Sequence, residues 1–262
     1  TDEQRYNLFY IKGYSYLLAG EYFRALPVEN GGEVKGWKEN LNLAISTFTE
    51  ALKFTSDTDE TAFINTLIAR AYYRLGDKVN AVKYASNVLT LSTDFTKQVT
   101  FDGENNVISS IQGYIYGTNF QPLPRLDFLD PKYFQTKAKE ARPICIAKAE
   151  EPYLILAEAA LADNDVNGAK GFLKTLLTLV SNRPVATDIN DQLEGRYNGG
   201  YKEYPNSSEY RVAASSEDEF RSGLVLDRQS PHLISVPYIS GTSVTEEMID
   251  APTTVDGLLE VL

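Results

Sequence analysis

A group of aromatic and amide side chains in one glycine-rich loop is the stretch of this sequence best suited to ligand chemistry. The segment GRYNGGYKEYPNSS places rings and side-chain amides among glycine and serine, away from any core-forming period. Flat rings can lie against the apolar face of a sugar, and asparagine can exchange hydrogen bonds with its hydroxyls. The predicted ligand contacts are Tyr197, Asn198, Tyr201, Tyr204 and Asn206, with Trp37 as a second aromatic platform.

Both aromatic sets have an alternative explanation. Large loops over a helical scaffold need apolar anchors, and for any single tyrosine of the loop this packing role is the better explanation. Trp37 precedes a predicted helix, where a tryptophan more often packs than stands free. Tyr114, Tyr116 and Phe120, in another irregular stretch, are the next candidates for ligand contact.

Catalytic and metal-binding constellations are mostly missing. The chain has one histidine, His232, and one cysteine, Cys145, which we expect to be a small buried residue. Carboxylate pairs such as Glu150 and Glu151 are explained by a helix start. Residues 102–106 resemble a calcium loop only superficially, since the alternating ligands and closing glutamate are missing. We therefore predict a protein that is not an enzyme and has no metal or cofactor.

Composition restricts the partners. The chain has 262 residues, 43% hydrophobic content and a net charge of −11, so it can bury a sizeable core. Its negative charge argues against nucleic acid or anionic lipid as the main partner. It starts at Thr1 without a signal-peptide pattern, and we therefore expect a processed product.

Two segments share one helical-hairpin register. Small and apolar residues recur at successive intervals of three, nine, four and three residues in both. The first segment has Ala69, Tyr72, Ala81, Ala85 and Val88, and the second has Ala157, Ala160, Ala169, Leu173 and Leu176. The pattern is typical of tetratricopeptide hairpins, although any antiparallel helix pair rich in alanine gives something similar.

A third hairpin with a longer connection precedes these two. It pairs Gly13 and Tyr16 with Ala44, Phe48 and Ala51. We predict an all-α fold with hairpins at about 3–54, 60–91 and 152–183, and with loop-rich insertions at 92–143 and 188–251. The first helix is expected to be buried on more than one side. Short strands are expected near 98–101 and 113–116, and a short capped helix is expected at 253–262.

The hairpin at about 152–183 also carries a family resemblance. The stretch AKAEEPYLILAEAALADNDVNGAKGFLKTLLTLVSNRP resembles the signature of the SusD/RagB proteins. The matching residues are Ala149, Glu150, Tyr153, Leu154, Ile155, Ala157, Glu158, Ala159 and Arg183. Gly13, Tyr16 and Pro27, followed by Ala69, Arg70, Tyr72 and Ala81, are similar to the opening hairpins of that family. Gly257, Leu258 and Leu259 are similar to the start of its late helix.

The resemblance implies a single SusD-like helical domain over 1–262, as a fragment of a longer mature protein. It also implies a surface-exposed lipoprotein of a Gram-negative outer membrane, held by an amino-terminal lipid anchor that lies outside this chain. Such a protein binds a nutrient, usually a glycan, and delivers it to a TonB-dependent SusC-like transporter. The rival classes are a tetratricopeptide-type protein-interaction adaptor and a glycan-cleaving enzyme.

Overall fold

The computed structural model describes residues 1–102, 109, 143–190 and 233–262, and this part of the chain is mostly helical. The chain divides into two compact units. The helical unit comprises Thr1–Lys97, Cys145–Asn182 and Thr242–Leu262, and the second unit comprises Gln98–Ile144 and Arg183–Gly241. The mostly-α fold class is confirmed, whereas the single domain over 1–262 stays a prediction.

Eight helices and six short strands are present in the described residues. The helices are α1 (Asp2–Tyr22), α2 (Trp37–Ala51), α3 (Thr58–Leu75), α4 (Lys78–Leu91), α5 (Glu150–Ala162), α6 (Val166–Ser181), α7 (Glu246–Asp250) and α8 (Val255–Leu259). The strands are β1 (Ala25–Pro27), β2 (Val34–Gly36), β3 (Thr96–Val99), β4 (Ile144–Lys148), β5 (Val185–Asn190) and β6 (Leu233–Pro237). A 3-10 turn, Leu52–Phe54, follows α2.

The long helices begin and end where local chemistry satisfies their free backbone groups. Thr1 accepts from the backbone N–H of Gln4, whose side chain in turn accepts from Thr1, so α1 starts with a capping box. Asp77 and Asp165 are the N-caps of α4 and α6. Gly76 ends α3 in the left-handed conformation, with φ of 77°.

Consecutive helices form three hairpins, as predicted. The pairs are α1 with α2, α3 with α4, and α5 with α6, and the contacts of α2 with α3 and of α4 with α5 join them in chain order. In the first hairpin, a Cβ atom on Gly13 would lie 2.7 Å from the Phe48 ring, so the missing side chain lets the helices approach.

The shared hairpin register corresponds to buried contacts. Ala69, Ala81 and Ala85 lie in one apolar cluster, and Ala157 and Ala169 lie in another. All five are at most 2% exposed. Tyr72 and Ala160 are partly buried against these two clusters, and Tyr16 is partly buried against the larger cluster that contains Phe48. The prediction that the spaced small residues lie at hairpin contacts is confirmed.

The prediction that the first helix is buried on more than one side was wrong. Leu8, Ile11 and Tyr22 are 62%, 60% and 74% exposed, whereas Tyr6, Gly13, Leu17 and Gly20 are buried. Among the described elements, α1 is the first helix of the row and packs mainly against α2. Its apolar residues extend around more of the helix than this neighbour can cover.

Short strands occupy segments that had been predicted as loops. In the helical unit, β1 pairs antiparallel with β2, with Ala25 opposite Gly36. In the second unit, β5 pairs antiparallel with β6, with Val185 opposite Pro237. The β5–β6 pairing joins segments that are distant in the sequence, whereas the three-residue strands of the β1–β2 hairpin are too short to show an alternating period. Another missed element is α7, which lies within the predicted loop-rich stretch.

The strand predicted near 98–101 is found slightly earlier, as β3, and pairs with β4. The strand predicted near 113–116 lies outside the described residues. Cys145 is half-buried in β4 rather than fully buried, near the start of the strand and on the same face as the buried Ala147. The terminal helix predicted at 253–262 is shorter and is capped by Thr254.

Candidate functional site

Most of the predicted ligand contacts lie outside the described residues. These are Tyr197, Asn198, Tyr201, Tyr204 and Asn206, together with the second-choice Tyr114, Tyr116 and Phe120. His232 and the calcium-like residues 103–106 also lie there. Their roles therefore stay predictions, and Trp37 is the predicted site residue whose surroundings are described.

Trp37 is the first residue of α2 and is 36% exposed. Its backbone N–H donates to the carbonyl of Arg24 at 3.1 Å, which extends the ladder of the β1–β2 hairpin by one step. The Lys38 ammonium lies 5.3 Å from the centroid of the indole ring. A ligand that stacks on that face would replace this cation–π contact.

Two further exposed aromatic residues lie close to Trp37 along the backbone ladder. Tyr22 ends α1 and Phe23 follows it, and they are 74% and 53% exposed. Because the segment before β1 runs alongside the segment after β2, these residues and Trp37 flank the same end of the hairpin. We call Tyr22, Phe23 and Trp37 the aromatic group. Sequence reasoning missed its first two members because it placed them on a buried helix face.

A cleft between the second and third hairpins is the second candidate. It has a volume of about 380 Å³ and lies between the α3–α4 turn and α5. Small and apolar side chains line its inner part, including Ala81, Ile155 and Ala159. Its polar lining groups are Tyr73, Arg74, Lys78 and Glu158. We call this the interhairpin cleft.

The polar groups of the interhairpin cleft connect its two walls. The Tyr73 hydroxyl donates to Glu158 Oε2 at 2.8 Å, and this hydrogen bond raises the pKa of Tyr73, with burial and the charge of Glu158 adding to it. Lys78 forms an ion pair with Asp163 at the end of α5. Arg74 is exposed and makes no hydrogen bond or ion pair with the described residues. Sequence reasoning missed the cleft, although Glu158 belongs to the quoted signature.

A half-buried ion pair also joins these two hairpins. Arg70 on α3 donates through two nitrogen atoms to both carboxylate oxygens of Glu151 on α5, and also to the carbonyl of Ile146 at 3.2 Å. Burial alone would lower the pKa of Arg70, but the hydrogen bonds and charge of Glu151 outweigh it and raise that pKa. The pair fixes the walls of the cleft relative to each other.

Glu21 on α1 lies within electrostatic reach of this ion pair. Burial raises the pKa of its carboxyl, and the charges of Arg70 and Arg74 only partly offset that effect. Glu151 repels Glu21 and adds to the rise. The helical unit thus contains a half-buried group of opposite charges next to the cleft.

A second half-buried polar group lies near the start of α3. Glu60 accepts hydrogen bonds from the Tyr6 hydroxyl and from Lys97. The Lys97 ammonium also lies 5.4 Å from the centroid of the Phe63 ring. Burial, followed by the hydrogen bond to Glu60, raises the pKa of Tyr6. This group joins α1, α3 and β3.

Metal and membrane features were sought in the same residues. Within 1–102, 109, 143–190 and 233–262, no three His, Cys, Asp or Glu side chains are grouped so that they could hold a metal ion. None of the helices in these ranges combines the length and the hydropathy needed to cross a bilayer.

Comparison of the chain with protein-family models, curated proteins and solved structures finds no match. The resemblance to the SusD/RagB proteins therefore rests on the quoted residues alone. The function has to be inferred from those residues together with the sites described above.

Proposed function

We propose that this protein is a non-catalytic nutrient-binding protein whose ligand is a glycan. In this proposal a lipid anchor upstream of Thr1 holds it on the outer-membrane surface of a Gram-negative bacterium. The protein passes its ligand to a TonB-dependent SusC-like transporter. Its scaffold is a tetratricopeptide-like row of helical hairpins.

The observation that carries the proposal is the exposure of the aromatic group. Tyr22, Phe23 and Trp37 are each at least 36% exposed, and they flank one end of a short hairpin. Sugar rings have apolar faces that stack on such side chains. Exposed apolar side chains that are grouped at one place mark binding surfaces more often than scattered ones do, and ligand contact is our explanation for this group.

The scaffold supports the transporter part of the proposal in a different way. Successive hairpins pack in chain order, from α1–α2 to α5–α6. Stacked helical hairpins offer a broad, extended face to a large partner. The quoted family residues Ala69, Ala157 and Arg70 lie at the contacts that hold this stack together.

A tetratricopeptide-type adaptor is the second candidate. The exposed apolar side chains of Leu8 and Ile11 on α1 favour it, because an interaction partner would cover them. An adaptor of this kind binds a peptide segment in preference to a saccharide.

Binding screens distinguish the two candidates. The purified chain is screened against a glycan library and a peptide library, and the best ligand is then measured by calorimetry. We expect a glycan to bind. Its affinity for the wild type is then compared with its affinity for five variants: Trp37→Ala, Tyr22→Ala, Tyr197→Ala, Tyr201→Ala and Tyr204→Ala. Loss of one stacking ring should weaken binding severalfold to about tenfold, the scale of an aromatic contact of roughly 0.5–1.5 kcal/mol.

Val79→Ala is the matched control, since Val79 is an exposed apolar residue on α4 outside the aromatic group. It should leave affinity unchanged, and circular dichroism checks that every variant folds. If peptides bind and glycans do not, the adaptor is the better description. If all five aromatic variants bind like the wild type, the glycan site lies elsewhere. Finding the full-length native protein free in the cytosol would contradict the membrane placement.

A further inference from the structure

We propose that the interhairpin cleft binds a sugar that carries a carboxylate, such as a uronate residue. The cleft is separate from the loop tyrosines and from the aromatic group. The sugar part of this inference rests on the proposed function, whereas the carboxylate part rests on the cleft alone.

The size and lining of the cleft suit a small ligand. Its volume of about 380 Å³ is at the low end of the roughly 300–1,000 Å³ that is usual for small-molecule sites. Ala81 and Ile155 are 2% and 7% exposed and close its inner part. Gly76 borders it at the α3–α4 turn, where an added Cβ would meet nothing within 4 Å. The cleft is therefore closed at the bottom and open at the turn.

Charge favours an anion on one side of the cleft. The positive charge of Lys78 is matched by Asp163, and Glu158 already accepts from Tyr73. Arg74 has no anionic partner within hydrogen-bond or ion-pair distance in the described part of the chain. A guanidinium presents a planar pair of donors that matches a carboxylate. The charge of Arg74 acts on the half-buried Glu21 only at a distance, without a hydrogen bond or ion pair. The cleft thus offers a guanidinium whose hydrogen-bond donors the described residues do not use.

The remaining groups favour a sugar over other carboxylates. The Tyr73 side chain is 43% exposed and offers ring surface for stacking. Glu158 uses one carboxylate oxygen for Tyr73, and its other oxygen can accept from a sugar hydroxyl. A peptide in this cleft would find no strand edge to pair with, since helices and a helical turn line it.

Calorimetry with defined probes tests the inference. The probes are digalacturonate, its neutral counterpart galactobiose, and N-acetyl-dialanine as a peptide carboxylate. We expect the full chain to bind digalacturonate more tightly than the other two. Arg74→Gln should weaken digalacturonate binding by about tenfold or more, because it removes a charge-assisted pair of hydrogen bonds. Arg74→Lys keeps the charge but not the planar donors and should recover only part of the affinity.

Arg5→Gln is the matched control. Arg5 neighbours Tyr6, which bonds Glu60 at the start of α3, so about 20 Å of helix separates it from Arg74. This variant should bind like the wild type. Equal digalacturonate affinity in wild type and Arg74→Gln, or no digalacturonate binding at all, would overturn the inference. So would Arg74-dependent binding of the peptide without the sugar acid.

The outcomes also separate this inference from the proposed function. Neutral glycan binding that persists in Arg74→Gln but falls in Tyr201→Ala supports the proposed function, whatever the cleft does. Digalacturonate binding that depends on Arg74 and not on the loop tyrosines supports the cleft alone. If the wild-type chain binds no saccharide at all, both the proposed function and the cleft inference are contradicted.

Discussion

The guanidinium of Arg70 and the carboxylate of Glu151 form a two-point ion pair across 81 residues of sequence, with Nε–Oε1 at 2.5 Å and a second nitrogen at 2.6 Å from Oε2. Their side chains are only 19% and 24% exposed. The pair joins α3 to α5 at the junction of two hairpins. Its removal is therefore the most direct test of how these hairpins are held together.

We expect Glu151→Gln to destabilise the fold by about 3 kcal/mol, because it leaves the Arg70 charge poorly paired in a half-buried site. Urea unfolding followed by circular dichroism measures the change. Lys53→Met is the control, since Lys53 and Glu50 form an exposed pair at 59% and 45% exposure. It should cost less than about 1 kcal/mol. Equal costs for both variants would show that burial of the Arg70 pair contributes nothing.

A glycine pair tests the close approach of α1 and α2. Gly13→Ala would place a Cβ 2.7 Å from the fully buried Phe48 ring, and we expect a net loss of about 1–2 kcal/mol despite the better helix propensity of alanine. Gly171→Ala on α6 would meet nothing within 4 Å and should stabilise the protein by about 0.5–1 kcal/mol. Thermal unfolding of both variants measures the contrast. Stabilisation by both would contradict the observed helix spacing.

The hydrogen bond from Tyr6 to Glu60 predicts a cost for losing one hydroxyl. Tyr6→Phe keeps the ring but leaves a half-buried carboxylate with one donor fewer, so we expect a loss of about 1–2 kcal/mol. Tyr72→Phe is the control, since the Tyr72 hydroxyl makes no hydrogen bond to the described residues and its ring stacks on Tyr84. Its effect should stay within about 0.5 kcal/mol. Denaturant unfolding that gives the same midpoint for both variants would refute the role of Glu60.

The cap of α4 predicts a pH dependence. Asp77 accepts hydrogen bonds from the side chain and backbone of Asn80, at 2.7 and 3.1 Å, and these lower the pKa of its carboxyl. A lowered folded-state pKa gives stability that is complete above the unfolded pKa and is lost as pH falls through the folded one. Asp77→Asn keeps a good N-cap but has no carboxyl to titrate, so it lacks this pH-dependent stability.

Unfolding midpoints between about pH 6 and about pH 2.5 check the prediction, since the unfolded aspartate titrates near pH 3.9. The stability of the wild type relative to Asp77→Asn should decrease as the pH falls across that range. A constant difference between the two proteins at every pH would contradict the assignment.

The helices and their order could be read from the sequence because the signals are local. Asp57, Asp77 and Asp165 mark helix starts, and Gly76 marks a helix end, within a few residues of the elements they limit. The alanines of the shared register are buried because a fixed helical period places them on one face. Trp37 was also singled out at this level, and its contact with a ligand stays a prediction.

The tertiary structure decided what depends on contacts between distant segments. Only packing shows that α1 has its main partner on one side, which leaves Leu8 and Tyr22 in water. Only packing brings Tyr73 to Glu158 and Arg70 to Glu151, more than 80 residues away in each case. The β5–β6 pair likewise forms between distant segments, which local periodicity cannot match to each other. Helical hydrogen bonds are made within one segment, so the local sequence determines where the helices lie. Clefts, ion pairs across helices and strand ladders each need two segments, so only the packed structure shows them.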